Sequence, residues 1–233
     1  MSTIFIIKDR KKECEKLREE ILENKILVMK GDMGSGKKTL VNQYRLHYKS
    51  KYELVWIMTD FNFLLAGWKT QFQMCFPDLW KENSGDLKKF LLNSKLKYVL
   101  FVGIMPQFKQ DEFLEILKTY IPMNPDELSP GQHIVIQSNT DIEGYKSYEI
   151  EKFNIEDSLS LIRYHFGDEK KLSDNDLVSL TDICDGNPKM MEMTTTYIKQ
   201  VYPKEENCSE FLDALKVSDN KVKSFYKILH QKE

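Results

Sequence analysis

The stretch Gly31-Asp32-Met33-Gly34-Ser35-Gly36-Lys37-Lys38-Thr39-Leu40 joins an apolar run to a segment with helical spacing, and this stretch decides the fold. The apolar run at 26–29 predicts a buried strand, and residues 39–48 predict the helix that follows. A strand, a glycine-rich turn and a helix in this order form the frame of a phosphate-binding P-loop. Glycines let backbone N–H groups approach a phosphate without Cβ clashes, and the helix directs its positive end at the same anion.

The lysine position of the motif is filled, but its hydroxyl position is not. Lys37 is placed to reach the terminal phosphates of a nucleotide, whereas Lys38 stands where the motif has a Ser or Thr that holds Mg²⁺. Thr39 comes one position late. Lys38 either supplies a positive charge in place of the metal or is an ordinary solvated helix residue. The predicted nucleotide-binding residues of this stretch are Gly31, Met33, Gly34, Ser35, Gly36, Lys37, Lys38, Thr39 and Leu40.

Composition limits the class of protein. Among the 233 residues, 41% are hydrophobic and 12% aromatic, enough for a packed core, which argues against disorder. The formal charge of -2 gives no overall basic field, so we expect no nucleic-acid partner. No run approaches the ~20 apolar residues of a membrane helix, so we expect no membrane contact. The four cysteines are widely spaced and predict reduced thiols in a cytoplasmic protein.

Strand and helix patterns alternate in the first part of the chain. Apolar runs predict strands at 26–29, 54–58, 98–102, 133–136 and, more weakly, 147–150. Helical patterns lie at 13–22, 39–48, 63–76, 86–92 and 111–121, with Ser84 as the expected cap of the fourth. Alternation of this kind predicts an α/β fold with a parallel sheet covered by helices on both faces.

Only helical patterns follow residue 151. They lie at 155–166, 173–184, 187–202, 207–215 and 219–229. Ser173 or Asp174 is suited to cap the second, while Gly167 and Gly186 stand just past helix ends. Pro188 falls in the first turn of the next helix, where its missing N–H is not needed. We therefore predict two domains, a P-loop nucleotide-binding α/β domain at 1–150 and a small all-helical domain at 151–233.

The ordered set of motifs resembles the NB-ARC module of the STAND group of P-loop NTPases, which includes apoptotic protease-activating factors and plant resistance proteins. The helical part is similar to the family's ARC1 domain, and the likeness spans most of the chain. The matching pieces, in order, are Asp9-Arg10, the loop at 31–40, the strand at 97–104, the strand ending Gln137-Ser138-Asn139, the lead-in at 148–166, Gly186-Asn187-Pro188 and the closing helix at 211–215.

The resemblance implies a switch protein of the cell-death or innate-immunity type. Such a protein would bind ADP or ATP between its two domains and act in signal transduction. By the resemblance alone, Arg10 and Pro188 join the nucleotide-binding residues, with Pro188 packing against adenine. The implied partner is another protein, for example a related full-length NB-ARC protein, or a second copy of the chain.

Several positions depart from the family pattern. Lys38 replaces the metal-binding hydroxyl, residues 102–104 contain no acid where the family has two, and Asn139 replaces a sensor arginine. Because these groups hold Mg²⁺ or read the terminal phosphate, we expect weak or no hydrolysis, and Mg²⁺ binding is doubtful. We also expect the family's winged-helix domain to be absent, because the chain ends at Glu233 before it could fit.

Two other functions stay open from the sequence. The chain could be a pseudo-NTPase scaffold that acts through protein–protein contacts without nucleotide. It could also be a working ATPase in which Asp32 or Asp60 replaces the missing metal ligands.

Overall fold

The computed structural model describes residues 10–58, 70, 72–83, 85–103, 109–167, 172–201 and 209–216. These residues fall into two compact units. The first, called the α/β unit below, consists of Arg10–Gly31 and Lys37–Ile150. The second, called the helical unit, contains the described residues from Glu151 onwards together with the loop segment Asp32–Gly36.

The α/β unit is built on a five-stranded sheet, which confirms the predicted fold class. The strands stand in the order β2-β3-β4-β1-β5, and every neighbouring pair is parallel. Each predicted strand is found, with ends that differ from the prediction by two residues at most. Their bounds are Ile26–Lys30 for β1, Leu54–Met58 for β2, Tyr98–Gly103 for β3, Gln132–Ser138 for β4 and Lys146–Glu149 for β5.

Helices cover both faces of this sheet because alternate side chains of the buried strands point to opposite sides. Helices α1 (Lys11–Glu23) and α2 (Lys37–Tyr48) cover one face. Their buried side chains, among them Leu17 and Tyr44, pack with Leu27, Met29 and Val135 of the sheet. The other face packs against a separate cluster that includes Phe90, Phe113, Leu100, Val102 and Ile136.

The second face carries three described α-helices, two of which match predicted helices with a shift of one residue. They are α3 (Pro77–Glu82), α4 (Leu87–Asn93) and α5 (Gln110–Tyr120), and short 3-10 turns occur at Lys49–Lys51 and Pro125–Glu127. Most of the predicted helix at 63–76 lies outside the described residues, although 70 and 72–75 are helical. Helix α3 was not predicted as a separate element.

The predicted cap of α4 was wrong. The helix begins at Leu87, and Asp86 is its N-cap, with a side chain that accepts a hydrogen bond from the N–H of Lys89. Asp86 directly precedes the first helical residue in an extended conformation, the position from which a carboxylate reaches the free N–H groups of the first turn. Ser84, the predicted cap, lies outside the described residues.

The helical unit contains helices close to those predicted. They are α6 (Ile155–Phe166), α7 (Asp174–Cys184), α8 (Pro188–Val201) and α9 (Ser209–Lys216). Ser173 caps α7 as predicted, and Gly167 ends α6 with a φ of 66°. One apolar cluster, which includes Ile162, Met191 and Leu212, joins these helices. The predicted helix at 219–229 lies outside the described residues, and none of the described helices has the length and apolar character needed to cross a membrane.

Candidate nucleotide-binding site

The loop at 31–36 begins where β1 ends, at the carboxyl edge of the sheet. Gly31 is buried, and its N–H donates to the carbonyl oxygen of Ser138, the last residue of β4, at 3.2 Å. β1 is flanked by β4 and β5, neither of which is next to it in the chain. In open parallel sheets, ligands bind outside the carboxyl ends of the strands where the strand order reverses. Gly31, the first residue of the loop, therefore lies at the edge where this type of sheet binds its ligand.

Two glycines give the loop its shape. Gly34 and Gly36 have φ values of 86° and 91°, in the left-handed region that favours glycine. The N–H of Ser35, between them, donates to the carbonyl oxygen of Asp32 at 3.1 Å. The Ser35 hydroxyl oxygen is buried, and no group of the described residues hydrogen-bonds to it. An unpaired buried hydroxyl in a tight glycine-rich loop is a donor that fits a phosphate oxygen.

Lys37 is the first residue of α2 and folds its ammonium group back over the start of the loop. Its Nζ donates to the carbonyl oxygen of Gly31 and, at 3.0 Å, to Oδ1 of Asn139. Asn139 directly follows β4, so the lysine links the loop to the neighbouring strand end. In the sequence, Asn139 stands out only because it replaces the family's sensor arginine. Its contact with Lys37 depends on the pairing of β4 with β1, which no sequence motif records.

The other residues of the predicted loop site have different environments. Lys38 and Thr39 are exposed in the first turn of α2, whereas the Leu40 side chain is fully buried in the core of the α/β unit. Met33 is 66% exposed. The residues present fit a phosphate group, but Lys38 supplies no hydroxyl ligand for Mg²⁺ at its usual position.

Acidic residues near the carboxyl edge of the sheet are paired with a lysine. Lys30 at the end of β1 lies 3.0 Å from Asp141 and 3.7 Å from Glu149, and the hydrogen bond with Asp141 raises the pKa of Lys30. No group of three or more potential metal-ligating side chains occurs within the described residues. Of the two acids considered as substitute metal ligands, Asp32 is exposed and Asp60 lies outside the described part of the chain.

Arg10 is held by a neighbour on its own helix. Its guanidinium is buried and donates from Nε and Nη2 to the two carboxylate oxygens of Glu13, at 2.5 and 2.6 Å. Its main-chain N–H donates to Oε1 of Gln43 at 2.9 Å, which fixes the start of α1 to α2. Contact between Arg10 and a nucleotide stays a prediction.

Within the helical unit, the loop segment contacts the start of α8. Nδ2 of Asn187 donates to the carbonyl oxygen of Met33 at 2.9 Å. The N–H of Lys189 donates to the carbonyl oxygen of Gly34 at 3.3 Å. Pro188, between these two residues, is partly buried. The motif containing Pro188 thus touches the loop, while packing of its ring against adenine stays a prediction.

Comparisons with known proteins give distant structural matches only. No protein-family model matches the chain, and no curated protein matches it. Similar solved structures include domain III of the replication initiation protein DnaA from Thermotoga maritima, at 16% identity over 85% of this chain and 86% of that one, with a TM-score of 0.49. A RuvB mutant from Thermotoga maritima covers 89% of this chain and 67% of its own at 14% identity and a TM-score of 0.47.

A third similar structure is the replication initiator DnaA bound to AMPPCP and single-stranded DNA, at 16% identity over 84% of this chain and 63% of that one, with a TM-score of 0.46. At these identities and TM-scores the matches say nothing about function. The parallel strand order and the glycine-rich loop between β1 and α2 give the chain a P-loop NTPase fold.

Proposed function

We propose that this chain is a regulatory protein that binds ADP or ATP on the loop at 31–37 and hydrolyses ATP slowly or not at all. The observation that carries the proposal is the glycine-rich loop after β1, in which Gly34 and Gly36 adopt positive φ and which leads directly into Lys37 at the start of α2. A glycine-rich turn followed by a helix start and a lysine is the local pattern that suits a phosphate, because main-chain N–H groups and a positive charge are consecutive in the chain. Lys38 in the metal position supports the slow hydrolysis.

The order of motifs supports an NB-ARC-like protein of the cell-death or immunity type. In the proposal, residues 1–150 and 151–233 are its two domains, and Arg10 and Pro188 contribute to the nucleotide site. The contact between Asn187 and Met33 supports the link between the helical-domain motif and the loop. The partner would be another protein or a second copy of the chain, in the cytoplasm.

One observation favours the pseudo-NTPase scaffold as a second candidate. The Lys37 ammonium group already donates to two protein oxygen atoms, those of Gly31 and Asn139. A lysine with partners of this kind needs no phosphate to satisfy its charge. In the scaffold, the loop would be a structural element and the function would depend on a protein surface.

Nucleotide analysis and calorimetry separate the two candidates. We expect ADP to be released when the purified protein is denatured, and ADP to bind the nucleotide-free protein in isothermal titration calorimetry. Lys37→Met should weaken ADP binding by at least about ten-fold, since a hydrogen bond to a charged group is lost. Arg45→Met, at an exposed residue near the other end of α2, is the control for the loss of one positive charge. Absence of ADP binding at millimolar concentration would overturn the proposal in favour of the scaffold.

The metal position has its own test. If Lys38 supplies positive charge in place of the ion, ADP affinity of the wild type should be nearly the same with Mg²⁺ and with EDTA. Lys38→Thr restores the usual hydroxyl and should make the affinity depend on Mg²⁺. Unchanged affinity and unchanged metal dependence in this variant would exclude that role for Lys38.

A further inference from the structure

The side-chain amide of Asn187 makes two kinds of contact, one through its oxygen and one through its nitrogen. Its Oδ1 accepts hydrogen bonds from the N–H groups of Lys189 and Met190, each at 3.1 Å, and so caps the start of α8. Because Oδ1 is committed to these donors, Nδ2 faces the loop and donates to the carbonyl oxygen of Met33 at 2.9 Å. The same amide therefore caps a helix and holds the glycine-rich loop.

The loop lies against this segment so closely that only glycine fits. A Cβ atom on Gly34 would lie 2.6 Å from Cβ of Lys189 and 2.7 Å from Oδ1 of Asn187. The N–H of Lys189 also donates to the carbonyl oxygen of Gly34 at 3.3 Å. Two successive carbonyl groups of the loop are thus held on the side of α8.

Holding these carbonyl groups also determines where the next N–H groups point. In a planar trans peptide, the C=O of one residue and the N–H of the next have opposite directions. The N–H groups of Gly34 and Ser35 are therefore directed away from α8, and that of Ser35 turns into the loop toward the carbonyl oxygen of Asp32. An anion in such a loop needs main-chain N–H groups that point to its inner side, and the contacts with α8 hold the N–H of Gly34 in that direction.

From this geometry we infer that Asn187 is a positioning residue that pre-organises the loop for phosphate. The inference rests on the proposed nucleotide binding and adds a residue 154 positions away in the chain from its loop partner Met33. Without the bond from Nδ2, the Met33 peptide is free to rotate, and binding must then order it. Losing one such hydrogen bond should weaken ADP binding by about five-fold.

Asn187→Asp separates the two contacts of the side chain. The carboxylate keeps an acceptor for the N–H groups of Lys189 and Met190 but replaces the donor that faces Met33 with an acceptor. Asn154→Asp is the matched control, because Asn154 caps α6 through Oδ1 on the N–H of Asp157 at 2.8 Å. Asn187→Ser, which keeps a capping oxygen on a shorter side chain, covers the case in which the Asp variant fails to fold.

The measurements are amide hydrogen exchange of the peptide containing residues 33–36 and ADP affinity by calorimetry. We expect faster exchange and about five-fold weaker affinity in Asn187→Asp and Asn187→Ser, and wild-type values in Asn154→Asp. Wild-type exchange and affinity in folded Asn187 variants would overturn the inference. If the wild-type chain binds no ADP, the proposed function fails, and the exchange comparison still decides whether Asn187 orders the loop.

Discussion

At the scale of single residues, position 34 requires glycine for two reasons, a backbone conformation and a close contact, which the sequence motif alone does not separate. Its φ of 86° favours glycine, and its missing Cβ leaves room for Lys189 and Asn187. Gly144 has almost the same φ, 85°, but a Cβ there would meet nothing within 4 Å. The two glycines therefore distinguish the cost of the backbone conformation from the cost of the clash.

We predict that Gly34→Ala destabilises the protein clearly more than Gly144→Ala. Each variant should lose about 1 kcal/mol of unfolding free energy through the left-handed conformation. Gly34→Ala should lose about 1–3 kcal/mol more of unfolding free energy through overpacking. This variant should also lose ADP binding. Chemical denaturation and calorimetry measure both effects. Equal stability of the two variants would show that the loop does not press on α8.

His133 is a buried titratable residue of β4, and its side chain is only 4% exposed. Burial lowers the pKa of His133 to about 4, with smaller contributions from the positive charges of Lys25 and Arg18. Between pH 4 and pH 6.5 the unfolded chain therefore binds a proton that the folded chain does not. Stability should fall as the pH falls through this window.

We predict that this histidine destabilises the fold by about 2 kcal/mol at pH 5 relative to pH above 7. His133→Phe keeps a ring in the core and should flatten the dependence of the unfolding free energy on pH between 6.5 and 4.5. His47→Phe, at an exposed histidine of α2, is the control and should keep the wild-type slope. Urea titrations at several pH values measure the slope, and a wild-type slope in His133→Phe would contradict the prediction.

At the scale of secondary-structure elements, the start of α1 depends on a buried ion pair. Arg10 and Glu13 lie one helical turn apart, with side chains 2% and 10% exposed, and Arg10 also reaches Gln43 of α2 through its main chain. A buried guanidinium is tolerated only while its carboxylate partner is present. The pair therefore fixes where α1 begins and how it packs on α2.

Removal of one partner should cost far more than removal of both. We predict that Glu13→Ala lowers the unfolding free energy by about 3 kcal/mol, because the guanidinium stays buried after it has lost this carboxylate. The double variant Arg10→Met with Glu13→Leu should recover much of this loss. Glu15→Ala, on the exposed side of the same helix, is the control and should stay within about 0.5 kcal/mol of the wild type. Additive losses in the double variant would show that the pair is not coupled.

At the scale of the whole molecule, charge bears on the choice of partner. The chain carries 34 basic and 36 acidic residues, so no overall positive field attracts a polyanion. The positive side chains of the predicted loop site are those of Lys37 and Lys38, which suit the phosphates of one nucleotide better than the extended backbone of a nucleic acid.

We predict no salt-dependent binding of single-stranded DNA at micromolar protein. Fluorescence anisotropy of a labelled oligothymidine measures this, with ADP as the competitor. Any weak signal should disappear in Lys37→Met, because it would come from a phosphate in the loop. Binding that persists in Lys37→Met and weakens with salt would indicate a nucleic-acid surface elsewhere on the chain.

Local patterns in the sequence were enough to predict the strands and most of the described helices. A five-residue apolar run such as 98–102 is too short for a helix and fits a buried strand. Ser173 starts α7 and Gly167 ends α6 through contacts within a few residues of each helix end. The prediction of Ser84 as a cap was wrong because Ser84 and Asp86 both carry side chains that can cap a helix. Which of them does so depends on the backbone conformation, which places Asp86 directly before the first helical residue.

The sequence by itself determined the P-loop, since its glycines and Lys37 are neighbours in the chain and their conformational demands are local. Only the tertiary structure decided which distant groups support that loop. Lys37 meets Asn139 because strand pairing brings β4 next to β1, and Met33 meets Asn187 because the loop segment packs in the helical unit. Contacts across 102 and 154 residues depend on packing, which no short motif records.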